Sequence, residues 1–162
     1  MTFTKTVLSN FSSNVKYSTK VELTSVRYPN VKRGHYGSIT EADLKFFESV
    51  LGSNRVITDP SELEGYNTDW LNTVRGQSQV VLRPKDTIEV AKIVGHCIKN
   101  RLAVCPQGGN TGLVGGSVPV FDEIVLSTSL MDKIEGIFVI SGMEILHFKD
   151  FDLYGPILPI LI

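Results

Sequence analysis

Residues 106–119 read Pro106-Gln-Gly-Gly-Asn-Thr-Gly-Leu-Val-Gly-Gly-Ser-Val-Pro119, a glycine-dense loop between two runs of strand character. Gly108, Gly109, Gly112, Gly115 and Gly116 leave the backbone with no Cβ to hold a ligand away. Such backbone can adopt positive φ and turn successive N–H groups toward one point, which is the chemistry of an anion cradle. The loop holds no Lys, Arg or His. A phosphate or pyrophosphate there would rest on backbone dipoles and on the side chains of Gln107, Asn110, Thr111 and Ser117. The competing reading is a surface loop with glycine for turns alone. The ordered polar residues and flanking strands favour the cradle.

Two common phosphate loops fail on spacing. No Lys-Ser/Thr follows any of these glycines, so a P-loop is excluded. The dinucleotide fingerprint needs Gly-x-Gly-x-x-Gly opening a helix. Here Gly108 and Gly109 are adjacent, and the loop leads into the β-type run Asp122-Glu-Ile-Val-Leu-Ser127. The expected arrangement is strand, loop, strand.

The remaining features are those of an ordinary globular chain. With 162 residues, 42% of them hydrophobic, and a net charge of −1, it has room for one domain and no electrostatic case for nucleic acid. Cys97 and Cys105 lack metal or disulfide spacing and read as packed thiols; His35, His96 and His147 form no ligand cluster. Residues 1–22 are basic, hydroxyl-rich and almost free of acids. That composition suits a mitochondrial transit peptide, the alternative being a disordered terminus.

Residues 23–36 form a basic linker, and 37–75 a helical segment. Thr40-Glu-Ala-Asp43 resembles a capping box, with Gly52 as the helix stop. A short helical turn over Ser61–Glu64 leads to Tyr66-Asn-Thr-Asp-Trp70, with Trp70 expected in the core rather than at a ligand. Gln79–Leu82 reads as a buried strand. Asp86 or Thr87 caps the next helix with Glu89 returning, and Ile88, Ala91, Val94, Gly95 and Ile98 are its expected inner face. Leu102–Cys105 is the second strand, and a parallel crossover is the expected connection.

In that order, Val80-Val-Leu-Arg-Pro84, the helix from Thr87 to Asn100, Leu102-Ala-Val-Cys-Pro106 and the loop resemble the start of a vanillyl-alcohol-oxidase-type (PCMH-type) FAD-binding domain. The likeness is to the FAD-linked D-2-hydroxy acid dehydrogenases, and it extends back through Thr58-Asp-Pro60 and Asn67-Thr-Asp-Trp70 to about Tyr36. The resemblance implies an α/β (α+β) fold, here the incomplete first lobe over 76–134. It also implies FAD contacts at Gln107, Gly108, Gly109, Asn110, Thr111, Gly112, Gly116 and Ser117. Some members tether flavin to a histidine directly after the paired glycines. Asn110 stands there, which implies non-covalent FAD.

The resemblance further implies oxidation of a D-2-hydroxy acid in the mitochondrial matrix, with electrons passing to a carrier flavoprotein. It is expected to end near Ile134. Residues 135–162 read as a divergent apolar tail, too broken by charges and proline to span a membrane. On this reading the family's catalytic residues lie outside the chain, so no catalytic or metal-binding residue is assigned. The alternatives are a non-catalytic nucleotide-binding or interaction module, or a non-functional truncated isoform.

Overall fold

The computed structural model describes residues 21–140 and 143–148. The transit-peptide segment falls largely outside these residues, as does the end of the apolar tail. The described elements run α1 (Thr24–Arg27), α2 (Glu41–Leu51), a 3-10 turn (Ser53–Arg55), β1 (Val56–Ile57), α3 (Pro60–Asn67), β2 (Val81–Leu82), α4 (Thr87–Asn100), β3 (Val104–Gln107), β4 (Ile124–Ser127), β5 (Ile134–Ile140) and β6 (Met143–Phe148).

Four short strands form one mixed sheet in the order β1-β2-β4-β3. β1 is antiparallel to β2, whereas β2 and β3 each run parallel to β4. The α4 connection therefore joins parallel strands, as expected, but β4 lies between them. Alternation along the strands buries the sheet on both faces. Val80, Leu82, Ile124 and Leu126 pack with Phe47, Leu51, Ile93 and Cys97 from α2 and α4. Val81 and Val125 point the other way, to Ile57 and Leu63. Burying a side chain such as Phe47 or Ile93, both fully enclosed, contributes about 2–3 kcal/mol.

β5 and β6 pair antiparallel as a separate two-stranded sheet. Strand structure thus continues beyond Ile134, where the sequence had been expected to leave the family pattern.

The helix boundaries follow their caps. Thr40 and Asp43 form the expected capping box, and Gly52 closes α2 at φ 83°, a left-handed value that glycine tolerates. The Ser61–Glu64 turn is the middle of a longer helix, because Asp59 caps it and Pro60 occupies its first turn. Asp86 caps α4 by accepting the Glu89 N–H. Glu89 does not return to Asp86. Its carboxylate accepts from the Lys85 N–H at 2.8 Å and grips the Arg55 guanidinium through two oxygens, at 2.5 and 2.8 Å. That Arg55 contact, together with the Lys85 hydrogen bond, holds its pKa below the usual carboxylate value against the opposing effect of burial.

Of the expected inner face of α4, Val94 packs against the core and Ile88 and Ile98 do not. Ile93 and Cys97 are buried and Val90 and Val94 pack beside them, while Ile88 and Ile98 are 67% and 73% exposed. Polar contacts orient the helix. Glu89 reaches Arg55, and seven residues later His96 reaches Asp43, putting the face between them against α2 and the sheet. The strand expected over Leu102–Cys105 is also displaced, since pairing with β4 begins at Val104 and runs to Gln107. Both thiols are packed, and burial pushes each up to about 11.

Asp43 joins α2 to α4. Only 6% exposed, it accepts from the Thr40 N–H at 2.9 Å, lies 2.7 Å from His96 Nε2 and accepts from Asn100 Nδ2 at 3.2 Å. The His96 ring stacks on Phe46 at 4.0 Å. Burial raises the Asp43 pKa, but hydrogen bonds from Thr40 and His96 outweigh it and leave the group below its ordinary value. A carboxylate depressed in the folded state stabilises above its unfolded pKa and loses that contribution as pH falls through the folded one. Asp43→Ala should therefore cost about 2 kcal/mol at neutral pH. In denaturant melts the gap from wild type should narrow below about pH 4. A gap that stays constant down to pH 3 would show that the carboxylate charge is not what stabilises.

Candidate functional site

The glycine loop leaves β3 at Gln107 and enters β4 at Ile124. It is thus a parallel crossover made without a helix. Such a loop lacks internal backbone ladders, and tertiary hydrogen bonds hold this one. The Gln107 side chain, 2% exposed, donates from Nε2 to Tyr66 O at 2.9 Å and to Ser117 O at 2.8 Å. It joins the two ends of the glycine run and ties both to the end of α3. Asn110 donates from Nδ2 to Thr68 O at 2.8 Å and more weakly to Gly65 O at 3.4 Å. Its Oδ1 accepts from Ser117 Oγ at 2.8 Å.

Three of the four polar side chains expected to face a ligand are therefore committed to bracing the loop. The fourth, Thr111, is exposed. The backbone behaves in the opposite way. From Gly108 through Ser117, no main-chain N–H has a hydrogen-bond acceptor among the described residues. Unsatisfied N–H groups gathered on one loop make an anion-binding concavity.

The glycines divide into two kinds. A Cβ on Gly112 or Gly116 would meet nothing within 4 Å, and on Gly108 or Gly109 only a side-chain atom at 3.9 Å. The fold leaves these positions open, which suits the close approach of a ligand. Gly115 is different: its φ is +67° and a Cβ there would lie 2.6 Å from Val74 Cγ2. Positive φ in the loop falls on Gly115 and on Asn110 (φ 54°). Asn tolerates this left-handed conformation, and the Asn110 hydrogen bonds hold it there.

Beside the loop is a turn that the sequence did not mark as part of the site. Asp69, 3% exposed, accepts from the Thr73 N–H at 2.6 Å, Thr73 Oγ1 at 2.7 Å and the Val74 N–H at 2.9 Å. Burial raises its pKa, yet these hydrogen bonds bring it below the ordinary value. Folding the turn around Asp69 places the next residue outside, so Trp70 is 68% exposed rather than in the core. Thr68 is joined to the loop by the Asn110 hydrogen bond, across 42 positions of sequence, which no local pattern signals. Among the described residues there is no group of three or more His, Cys, Asp or Glu placed to hold a metal ion.

Comparison with known proteins gives this geometry a family. Residues 78–142 match a model described as an FAD binding domain, a match that runs through β5 beyond Ile134. The chain is 53% identical over 131 residues to the mitochondrial D-2-hydroxyglutarate dehydrogenase of Rattus norvegicus, covering 81% of this chain and 24% of that protein. It thus spans about a quarter of the length of that relative.

The fold is shared with alkyldihydroxyacetonephosphate synthase, at a TM-score of 0.55 and 14% identity over 64% of this chain and 23% of that one. It is shared too with p-cresol methylhydroxylase, at 0.52 and 20% identity over 62% of this chain and 21% of that one. The open glycines and unspent N–H groups fit FAD, whose pyrophosphate carries the charge such a cradle takes. Residues 78–142 thus match the FAD binding domain family, and the chain is similar to the D-2-hydroxyglutarate dehydrogenases over the part of their length that it spans.

Proposed function

We propose that this chain supplies the pyrophosphate cradle of an FAD-dependent D-2-hydroxy acid dehydrogenase, acting on D-2-hydroxyglutarate. The observation that carries the reading is the run of acceptor-free N–H groups over Gly108–Ser117, on glycines the fold leaves open. Main-chain N–H groups of Gly108, Gly109, Asn110, Thr111, Gly112, Gly116 and Ser117 hold the phosphates, with the Thr111 hydroxyl available beside them. Gln107 acts through its buried side chain, as a brace. Bound FAD supplies the two-electron acceptor that turns a 2-hydroxy acid into a 2-oxo acid. Residues outside the chain complete the substrate pocket, and a carrier flavoprotein takes the electrons onward. The relatives' names support a mitochondrial protein, and we place it in the matrix.

FAD is held without a covalent bond, because Asn110 has no nucleophilic nitrogen and its amide is already engaged with Thr68 and Ser117. Acid precipitation of the FAD-loaded chain should release all the flavin into the supernatant; flavin left on the polypeptide would refute this. The loaded chain by itself should show no bleaching of the flavin band with D-2-hydroxyglutarate under anaerobic conditions. Bleaching would mean that the catalytic groups are already present.

Gly109→Val separates cradle from scaffold. A Cβ there meets only a side-chain atom at 3.9 Å, so the melting temperature should stay within about 2 °C of wild type, while FAD binding is lost. Gly76→Ala is the opposite case, since its Cβ would fall 2.3 Å from Pro119 O, and it should lower the melting temperature markedly. Retained FAD affinity in a folded Gly109→Val variant would place the pyrophosphate elsewhere.

A further inference from the structure

Residues 24–37 lie across the domain and reach both sides of the place where the glycine loop ends. α1 has no buried residue, so apolar burial does not seat it. Polar contacts do. The Thr24 N–H donates to Arg75 O at 2.8 Å, and the Thr24 hydroxyl accepts from the Arg75 N–H at 2.9 Å. Arg27 donates from Nη1 to Thr73 O at 2.8 Å. Further on, Arg33 forks onto Asp122 through Nε at 2.5 Å and Nη2 at 3.0 Å, and also donates to Tyr36 O and Gly37 O. The segment ends on the C-terminal cap of α4. There the Gly37 N–H donates to Arg101 O at 2.9 Å and Arg101 Nη2 donates to His35 O at 3.0 Å.

These contacts hold the support of the loop. Residues 74–77 run beside the loop's exit limb, residues 115–121. A Cβ on Gly115 would meet Val74 Cγ2, a Cβ on Gly76 would meet Pro119 O, and the Gln77 N–H donates to Phe121 O at 2.9 Å. Thr24 and Arg27 grip the backbone at Arg75 and Thr73, at the head of that supporting strip. Arg33 grips Asp122, which follows Phe121 directly. One segment thus clamps the support at its start and the limb at its end. An exit limb ordered in this way leaves less conformational entropy to be lost when a ligand fixes the loop.

We propose that residues 24–37 form a strap that positions the exit limb of the cradle, with Thr24 and Arg33 as positioning residues, and that strap docking and dinucleotide binding favour each other. This rests on the FAD reading above. Thr24 acts through Arg75, and Arg33 through Asp122. Linkage makes the effect reciprocal: whatever factor the docked strap adds to FAD affinity, FAD adds to the docking equilibrium.

Lys32, exposed in the middle of the strap, offers trypsin a site that can be cut only when the strap lifts. FAD binding to the full chain is followed by equilibrium dialysis. Cleavage after Lys32 is followed by mass spectrometry at low protease, where the rate tracks the open population. Arg33→Ala should weaken FAD binding about tenfold, and Thr24→Val should shift it the same way. Arg33→Lys should restore only part of the loss, because an ammonium cannot make the fork. Saturating FAD should slow wild-type cleavage after Lys32 by a similar factor, and cleavage of Arg33→Ala far less. Ile93→Val, a truncation in the core between α4 and the sheet, should lower the melting temperature without changing FAD affinity. Equal FAD affinity in wild type and Arg33→Ala, with cleavage after Lys32 indifferent to FAD, would overturn the strap and leave the cradle intact. An affinity loss in Ile93→Val as large as that in Arg33→Ala would overturn it too, by reducing the effect to stability. A wild-type chain that binds no FAD by dialysis would overturn strap and cradle together.

Discussion

The buried Gln107 amide, donating to Tyr66 O and Ser117 O, is the contact on which the rest of the site depends. A loop that offers its N–H groups to an anion cannot spend them on its own backbone. Something else must fix its shape, or the entropy of ordering it would fall on the ligand. Here side chains do that work from beneath. Gln107 closes the glycine run, Ser117 donates to Asn110, and Asn110 fastens the loop to the carbonyls at the end of α3. The ligand-facing surface is left to backbone, which has no rotamers to freeze.

The platform under this loop is a thin sheet, with two strands only two residues long, stabilised by burial on both faces. Its rigidity comes from the polar contacts that lock α2 and α4 together. Arg55–Glu89 and Asp43–His96 are both largely sheltered from solvent, so their geometry matters more than that of exposed pairs. They set the rotation of α4, and with it which side chains reach the core. Arg33 does a similar job at the far end. It grips Asp122 at the entrance to β4 and donates to the carbonyls of Tyr36 and Gly37, strapping the preceding segment to the strand that leaves the loop.

Some of this was legible in the amino-acid sequence, because the relevant physics is local. The capping box at Thr40, the glycine stop at Gly52, the Asp86 cap and the strand–loop–strand arrangement each depend on residues within a few positions of one another. The openness of the glycine run was legible too, since absence of Cβ is a property of the residue itself. The family likeness rested on the same contiguous run. Other features were not decided locally. Helical periodicity offered several faces of α4 to the core, and only Arg55 and Asp43, distant in sequence, chose among them. Trp70 looked like a core residue by type, until the buried Asp69 turn placed it outside. The order β1-β2-β4-β3 put β4 between two strands that precede it, a choice made by long-range pairing. The sequence thus determined that a glycine-rich loop would follow a strand. Which side chains brace it, which N–H groups stay unspent and which turn lines its edge were decided by tertiary contacts, because hydrogen bonds between residues forty positions apart leave no periodic trace in the chain.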